Sequence, residues 1–171
     1  MSLRSKSACL AVLVSTAALV PALSSGDEAD PRPATILVSG PTALDVSVAV
    51  RDAVSRLRDS GCQRVLDDLT DREGRSLREG LGASAPDAYL LRLVVRNGEI
   101  PLGSGRCAVA GSAAFTTNGA AVFVCGTSFH RLTRGARANA LIHEMLHTLG
   151  LRENPPTSTE IARRVRARCG S

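Results

Sequence analysis

His143-Glu144-Met145-Leu146-His147 brings together the side chains that metal-assisted hydrolysis requires. On a helix, side chains four apart project from one face a turn apart, so His143 and His147 can grip one ion together. Glu144 follows the first of them and projects beside that ion, within reach of a water on it. Two imidazoles suit Zn²⁺, and the carboxylate is placed to take the water's proton. The chain has 3 histidines, and two of them fall in this pattern. The competing reading is a core helix whose histidines are only hydrogen-bonded.

The flanking residues favour a helix. Ala138-Asn139-Ala140-Leu141-Ile142 before the motif, with Leu146 and Leu149, gives good helix formers and an apolar stripe. Gly150 suits a helix that stops in the left-handed conformation. A catalytic zinc takes three protein ligands and keeps an open position, so a third donor is needed. The chain continues Leu151-Arg152-Glu153-Asn154-Pro155-Pro156-Thr157-Ser158-Thr159-Glu160. Glu153 and Glu160 are the two candidates. Glu160 also completes Thr157-Ser158-Thr159-Glu160, a helix-capping box, and that role is favoured for it. Glu153 is favoured as the ligand, against a solvent-exposed loop carboxylate, and Asn154 is expected to hold the turn.

His143-Glu144-x-x-His147-x-x-Gly150-x-x-Glu153 resembles the extended motif of the zincin metallopeptidases, in particular the metzincin branch. Two departures stand out. Glu153 occupies a position usually held by His or Asp, and no methionine follows the motif to form the methionine turn. The resemblance covers roughly residues 113–153 and implies a compact zincin-like domain with zinc metalloendopeptidase-like activity. It implies one Zn²⁺ on His143, His147 and Glu153, with Glu144 as general base, and a peptide or protein substrate. An edge strand before the metal helix is then expected to bind extended peptide, with Gly119–Cys125 as candidate. An oxyanion stabiliser is expected as well. His130 is the candidate, against a plain surface histidine; Tyr89 falls in an expected strand and is assigned to packing. The alternative function is a disulfide-stabilised zincin-like binding protein with structural zinc and no catalysis.

The elements that must position this motif follow from the rest of the chain. Residues 1–25 resemble a secretory signal: Arg4 and Lys6, an apolar stretch from Ala8 to Val20, and Ala22-Leu23-Ser24 as a cleavage site. Residues 26–34 are expected to be a flexible mature N-terminus, and 35–171 a single domain. Secretion is the expected localisation, with the periplasm or cell envelope as alternatives, no stable membrane association after cleavage, and a monomer. Without the leader, 19 Arg stand against 16 Asp and Glu, a charge of about +3. A nucleic-acid surface needs clustered cations and usually stacking aromatics. The chain has 3 Phe, 1 Tyr and no Trp, so no nucleic-acid partner is expected. Arg163, Arg164, Arg166 and Arg168 are taken as a solvated helix face.

Cys62, Cys107, Cys125 and Cys169 outlast the leader and are expected to form two disulfides in an oxidising compartment. Three pairings are possible. Cys169 would tie down a terminal helix, with Cys125 an attractive partner. Along the chain, Thr35–Val38 is expected as a strand. Residues 43–58 are expected as a helix ended by Gly61, although Val46-Ser47-Val48-Ala49-Val50 also alternates like a strand. One or two short helices are expected within 62–81, and a strand over Tyr89–Val95. Ala113–Thr117 and Ala121–Cys125 flank Asn118-Gly119-Ala120 as a hairpin or adjoining strands. Arg134–Leu149 is the metal helix and Ser158–Arg168 a final helix. The fold class expected is α+β: a small mixed sheet on a metal-binding helix, closed by a short C-terminal helix.

Overall fold

The computed structural model describes residues 34–99, 104–109, 111–117 and 119–170. The expected signal peptide lies outside them, as does all of the expected flexible segment except Ala34. The described residues belong to one compact unit, Pro31–Ser171.

The elements run β1 (Thr35–Leu37), α1 (Pro41–Leu57), α2 (Ser60–Gln63), a 3-10 turn (Arg64–Leu66), α3 (Leu77–Gly80) and α4 (Pro86–Arg92). They continue with β2 (Val94–Asn97), α5 (Ser104–Cys107), β3 (Ala114–Thr116), β4 (Ala121–Val124), α6 (Gly126–Arg131), α7 (Arg134–Thr148) and α8 (Ser158–Cys169). The fold is α+β, with a four-stranded mixed sheet in the order β1-β2-β4-β3. The first three strands in that order are parallel, with Ile36 opposite Val95 and Val95 opposite Val122. β3 closes the sheet antiparallel to β4, and the stacked rings of Phe115 and Phe123, 5.1 Å apart, pin their register.

Pro41 opens α1, where its missing N–H would have had no helical partner. Val46, Ala49, Val50, Ala53 and Leu57 are buried on it at steps of three and four. That stripe resolves the ambiguity of the Val46–Val50 segment in favour of helix. The expected stop at Gly61 falls elsewhere: α1 ends at Leu57, and Asp59 caps α2 by accepting from the Cys62 N–H. The strand expected over Tyr89–Val95 is also corrected. Pro86 and Asp87 start helix α4, which buries Pro86 and Leu90 one turn apart, and the strand begins only at Val94. The Tyr89 hydroxyl reaches Thr148 Oγ1 at 3.1 Å, tying α4 to the end of α7.

The core fills the space between the sheet, α1, α7 and α8. Leu57, Phe129, Ile142, Met145, Leu146 and Ile161 are fully buried there. Each contributes about 1.5–3 kcal/mol by leaving water. This packing holds α7 rigidly against α1 on one side and the β3–β4 pair on another.

Two disulfides form, Cys62–Cys169 and Cys107–Cys125. Cys125 is therefore not the partner of Cys169. Cys125 directly follows β4 and is bridged to the short helix carrying Cys107, while α2 packs Cys62 against the last turn of α8. The terminal helix is tied down as expected, by a different cysteine. The bridges fit an oxidising compartment. Among the described residues no helix is long and apolar enough to cross a membrane.

Candidate metal centre

α7 begins cleanly and ends in a turn that brings the chain back on itself. Thr133 caps its start by accepting from the Ala136 N–H at 3.2 Å. At its end Gly150 takes a φ of +102°, a region closed to most residues, and the Leu151 N–H closes onto the Leu146 carbonyl. The reversal carries Leu151 to Glu153 back along the helix. Asn154 holds the next bend with a φ of +68° and donates its N–H to the Pro156 carbonyl at 2.8 Å.

This turn brings Glu153 to the histidine pair. Its Oε1 lies 3.4 Å from His147 Nε2 and 3.9 Å from His143 Nε2, and the two Nε2 atoms are 3.0 Å apart. A tetrahedral zinc with bonds of about 2.0–2.1 Å has ligand-to-ligand edges of about 3.3–3.4 Å. The three measured edges bracket that length, so the donor set fits one small cation. The tautomer agrees. A carbonyl only accepts, so His147 Nδ1 carries the proton it donates to Leu151 O at 2.9 Å. That leaves the Nε2 lone pair facing His143 and Glu153, the arrangement in which a second partner orients a ligating imidazole. His143, His147 and Glu153 can hold a metal ion.

Glu160 does not join them. Thr157 caps α8 by accepting from the Glu160 N–H, and the Glu160 carboxylate turns along the helix to Arg164 at 2.5 Å. His130 bonds Asp45 at 2.7 Å on α6, is largely exposed, and does not line the cleft over the histidines.

Glu144 is 7% exposed. Burial pushes its carboxyl up to about 8, and the charge of Glu153 pushes the same way; Arg106 and the Thr116 N–H pull it back only in part. Burial also lowers His143 to about 4, helped by His147 beside it. Without a cation, the centre therefore holds a neutral carboxyl and a neutral imidazole at pH 7. A positive charge between the donors favours the ionised carboxylate, which is the form a base needs.

The centre opens into a cleft of about 1080 Å³ lined by α7, β3, α5 and α8. The edge strand at this cleft is β3, which corrects the expectation for Gly119–Cys125. β4 is paired on both sides, with β2 and with β3. The Cys125 N–H bonds Ala113 O, so the antiparallel alternation leaves the N–H and C=O of Ala114 and Thr116 on the outer edge. Thr116 is already engaged: its N–H meets Glu144 and its carbonyl accepts from Arg106 at 3.3 Å. Among the described residues, nothing bonds the outward N–H and C=O of Ala114.

Arg106 and Arg166 also line the cleft, and neither stands out in the sequence. Arg106 has no motif around it except Cys107. Arg166 belongs to the arginine run expected as a solvated face, but Arg164 and Arg168 bond Asp68 while Arg166 turns to the cleft. Its spacing with Ser158 and Ala162, four apart each time, is the one signal that marks that face.

Compared with protein-family models, with curated proteins and with solved structures, the chain matches none.

Proposed function

We propose that this protein is an exported zinc-dependent peptidase. One observation carries the reading: a buried carboxylate, Glu144, stands next to a three-donor metal centre at the floor of an open cleft. A purely structural zinc is usually closed by four protein ligands and has no use for a buried base. The resemblance to zincins and the two disulfides support the same reading, including export.

His143, His147 and Glu153 hold the ion, with His147 oriented by Leu151 O. Zinc bound there supplies a Lewis acid that polarises a carbonyl and acidifies water, and its charge favours ionised Glu144. Substrate peptide adds to the free edge of β3 through the Ala114 N–H and C=O, which fixes its register over α7. Glu144 accepts the proton of the attacking water, a new C–O bond forms, and Glu144 returns the proton to the leaving nitrogen as the C–N bond breaks.

Elemental analysis of the purified oxidised protein tests the centre, and peptide hydrolysis tests the chemistry. The expected result is one zinc per chain, lost in His147→Ala and weakened in Glu153→Ala. Glu144→Gln keeps the zinc and loses turnover by about 10²-fold or more. Absence of any transition metal after incubation with zinc, or undiminished hydrolysis in Glu144→Gln, rules the reading out.

A further inference from the structure

The walls of the cleft carry charge of one sign. Apart from the two histidines, Glu144 and Glu153, every lining residue is uncharged except Arg106 and Arg166. The other arginines of α8 are committed to carboxylates: Arg163 and Arg164 to Glu160, and Arg168 to Asp68. Among the described residues, neither Arg106 nor Arg166 has a carboxylate at ion-pair distance.

Arg106 is held in place without an ion pair among the described residues. Its helix is bridged by Cys107–Cys125 to the residue that follows β4 and opens α6. Its guanidinium lies over the Phe115 ring, 5.5 Å from the centroid, and gives one N–H to the Thr116 carbonyl at 3.3 Å. A guanidinium has five N–H donors, so most of its capacity stays open to the cleft. Arg166 lines the same cleft from α8. α8 runs antiparallel to α7, because Asn139 Nδ2 donates to Gly170 O at one end while Ser158 lines the cleft with His147 at the other. Arg166 is one turn before Gly170, level with the middle of α7.

The floor of the cleft is long. Along α7 the lining runs from Ala136 to His147, about 16 Å at 1.5 Å per residue. That is room for about five residues of extended peptide. Ala136, Ala140 and Ala162 leave the space unfilled. Successive side chains of an extended peptide point to opposite sides, so a bound strand presents alternate residues to the two walls.

We propose that Arg106 and Arg166 are specificity-determining residues that make the cleft select peptides bearing carboxylates close to the scissile bond. This rests on the peptidase reading of the centre. A carboxylate bonded to a guanidinium is the strong, planar pair for which arginine is suited. The carboxylate can come from an Asp or Glu side chain or from a free peptide C-terminus.

The test uses the zinc-loaded full-length mature protein carrying Glu144→Gln, so that fluorescent decapeptides bind without turnover. Four peptides of one length are compared: Glu on both sides of the central pair or Gln in the same places, each with a free or an amidated C-terminus. The Glu peptides are expected to bind about tenfold tighter than their Gln counterparts. Added Arg106→Gln or Arg166→Gln removes most of that preference, the double replacement removes all of it, and rising salt weakens it. A preference that follows the free C-terminus instead assigns the guanidiniums to the terminal carboxylate. Equal affinity for all four peptides, or a preference that survives Arg106→Gln with Arg166→Gln, overturns the proposal. Parallel assays of the unmodified enzyme separate the two claims. Hydrolysis without acidic preference sinks only the specificity; acidic preference in binding without any hydrolysis sinks only the peptidase reading.

Discussion

Replacing Glu144 by Gln should reverse the pH dependence of stability in the metal-free protein. The folded state holds the Glu144 carboxyl at about 8 against an ordinary 4.5, so folding favours its neutral form. That contribution is complete below the unfolded value and is lost as pH rises through the folded one. His143 has its folded value lowered from 6.5 to about 4. The unfolded chain therefore takes up this proton first, and stability is lost as pH falls from 6.5 towards 4. Each pH unit between folded and unfolded values is worth about 1.36 kcal/mol. Between pH 5 and 6.5 the two groups offset each other in the wild type. From pH 6.5 to 9 the loss from Glu144, about 2 kcal/mol, outweighs the last of the gain from His143, about 0.4 kcal/mol, so stability falls by about 1.5 kcal/mol, or about 5 °C in Tm for a domain of this size. In Glu144→Gln the high-pH loss disappears, and a loss of about 1.5 kcal/mol opens instead between pH 6.5 and 5, from His143 alone. Urea or thermal unfolding of chelator-treated protein at pH 5, 6.5 and 9 reads both arms. Parallel curves for wild type and variant would refute the account of Glu144 as a buried carboxyl neutral at pH 7.

Gly150→Ala should destabilise the fold by about 1–3 kcal/mol and weaken zinc binding together, because the position needs a φ of +102° and the new Cβ would stand 3.2 Å from that of Asp71; unfolding and zinc titration check both. Loss of Cys62–Cys169 through paired serines should cost about 5 kcal/mol, against about 3 kcal/mol for Cys107–Cys125, since the bridges close separations of 107 and 18 residues. Equal losses in denaturant unfolding would contradict the loop-closure account. The second pair of replacements should also blunt any preference for acidic peptides, because it releases the helix that carries Arg106.

The local features of this protein are legible in its amino-acid order. The spacing of His143, Glu144 and His147 needs only a helix to become a cluster, and Gly150 marks the end of that helix. Thr157 likewise announces α8, and Asn118-Gly119 between β-rich runs announces the β3–β4 pair. These signals work because capping, helical spacing and tight turns involve residues within a few positions of one another. The segment after Ala85 shows where local signals mislead. An apolar run reads as strand, yet Pro86 starts a helix whose burial against α1 decides its form.

The joining of distant parts of the chain depends instead on long-range packing. Glu153 and Glu160 are both competent donors by type; the turn at Gly150 brings the first to the histidines, and Arg164 holds the second. Four cysteines permit three pairings, and only the packing of α2 on α8 puts Cys62 beside Cys169. Strand order cannot be read from the strands, so the open edge at the cleft proved to be β3 and not β4. Arg106 and Arg166 are two among many arginines until α5 and α8 bring them to one cleft. In each case the deciding energy is the burial of core side chains between elements far apart in sequence, and such burial leaves no local pattern at the residues it brings together.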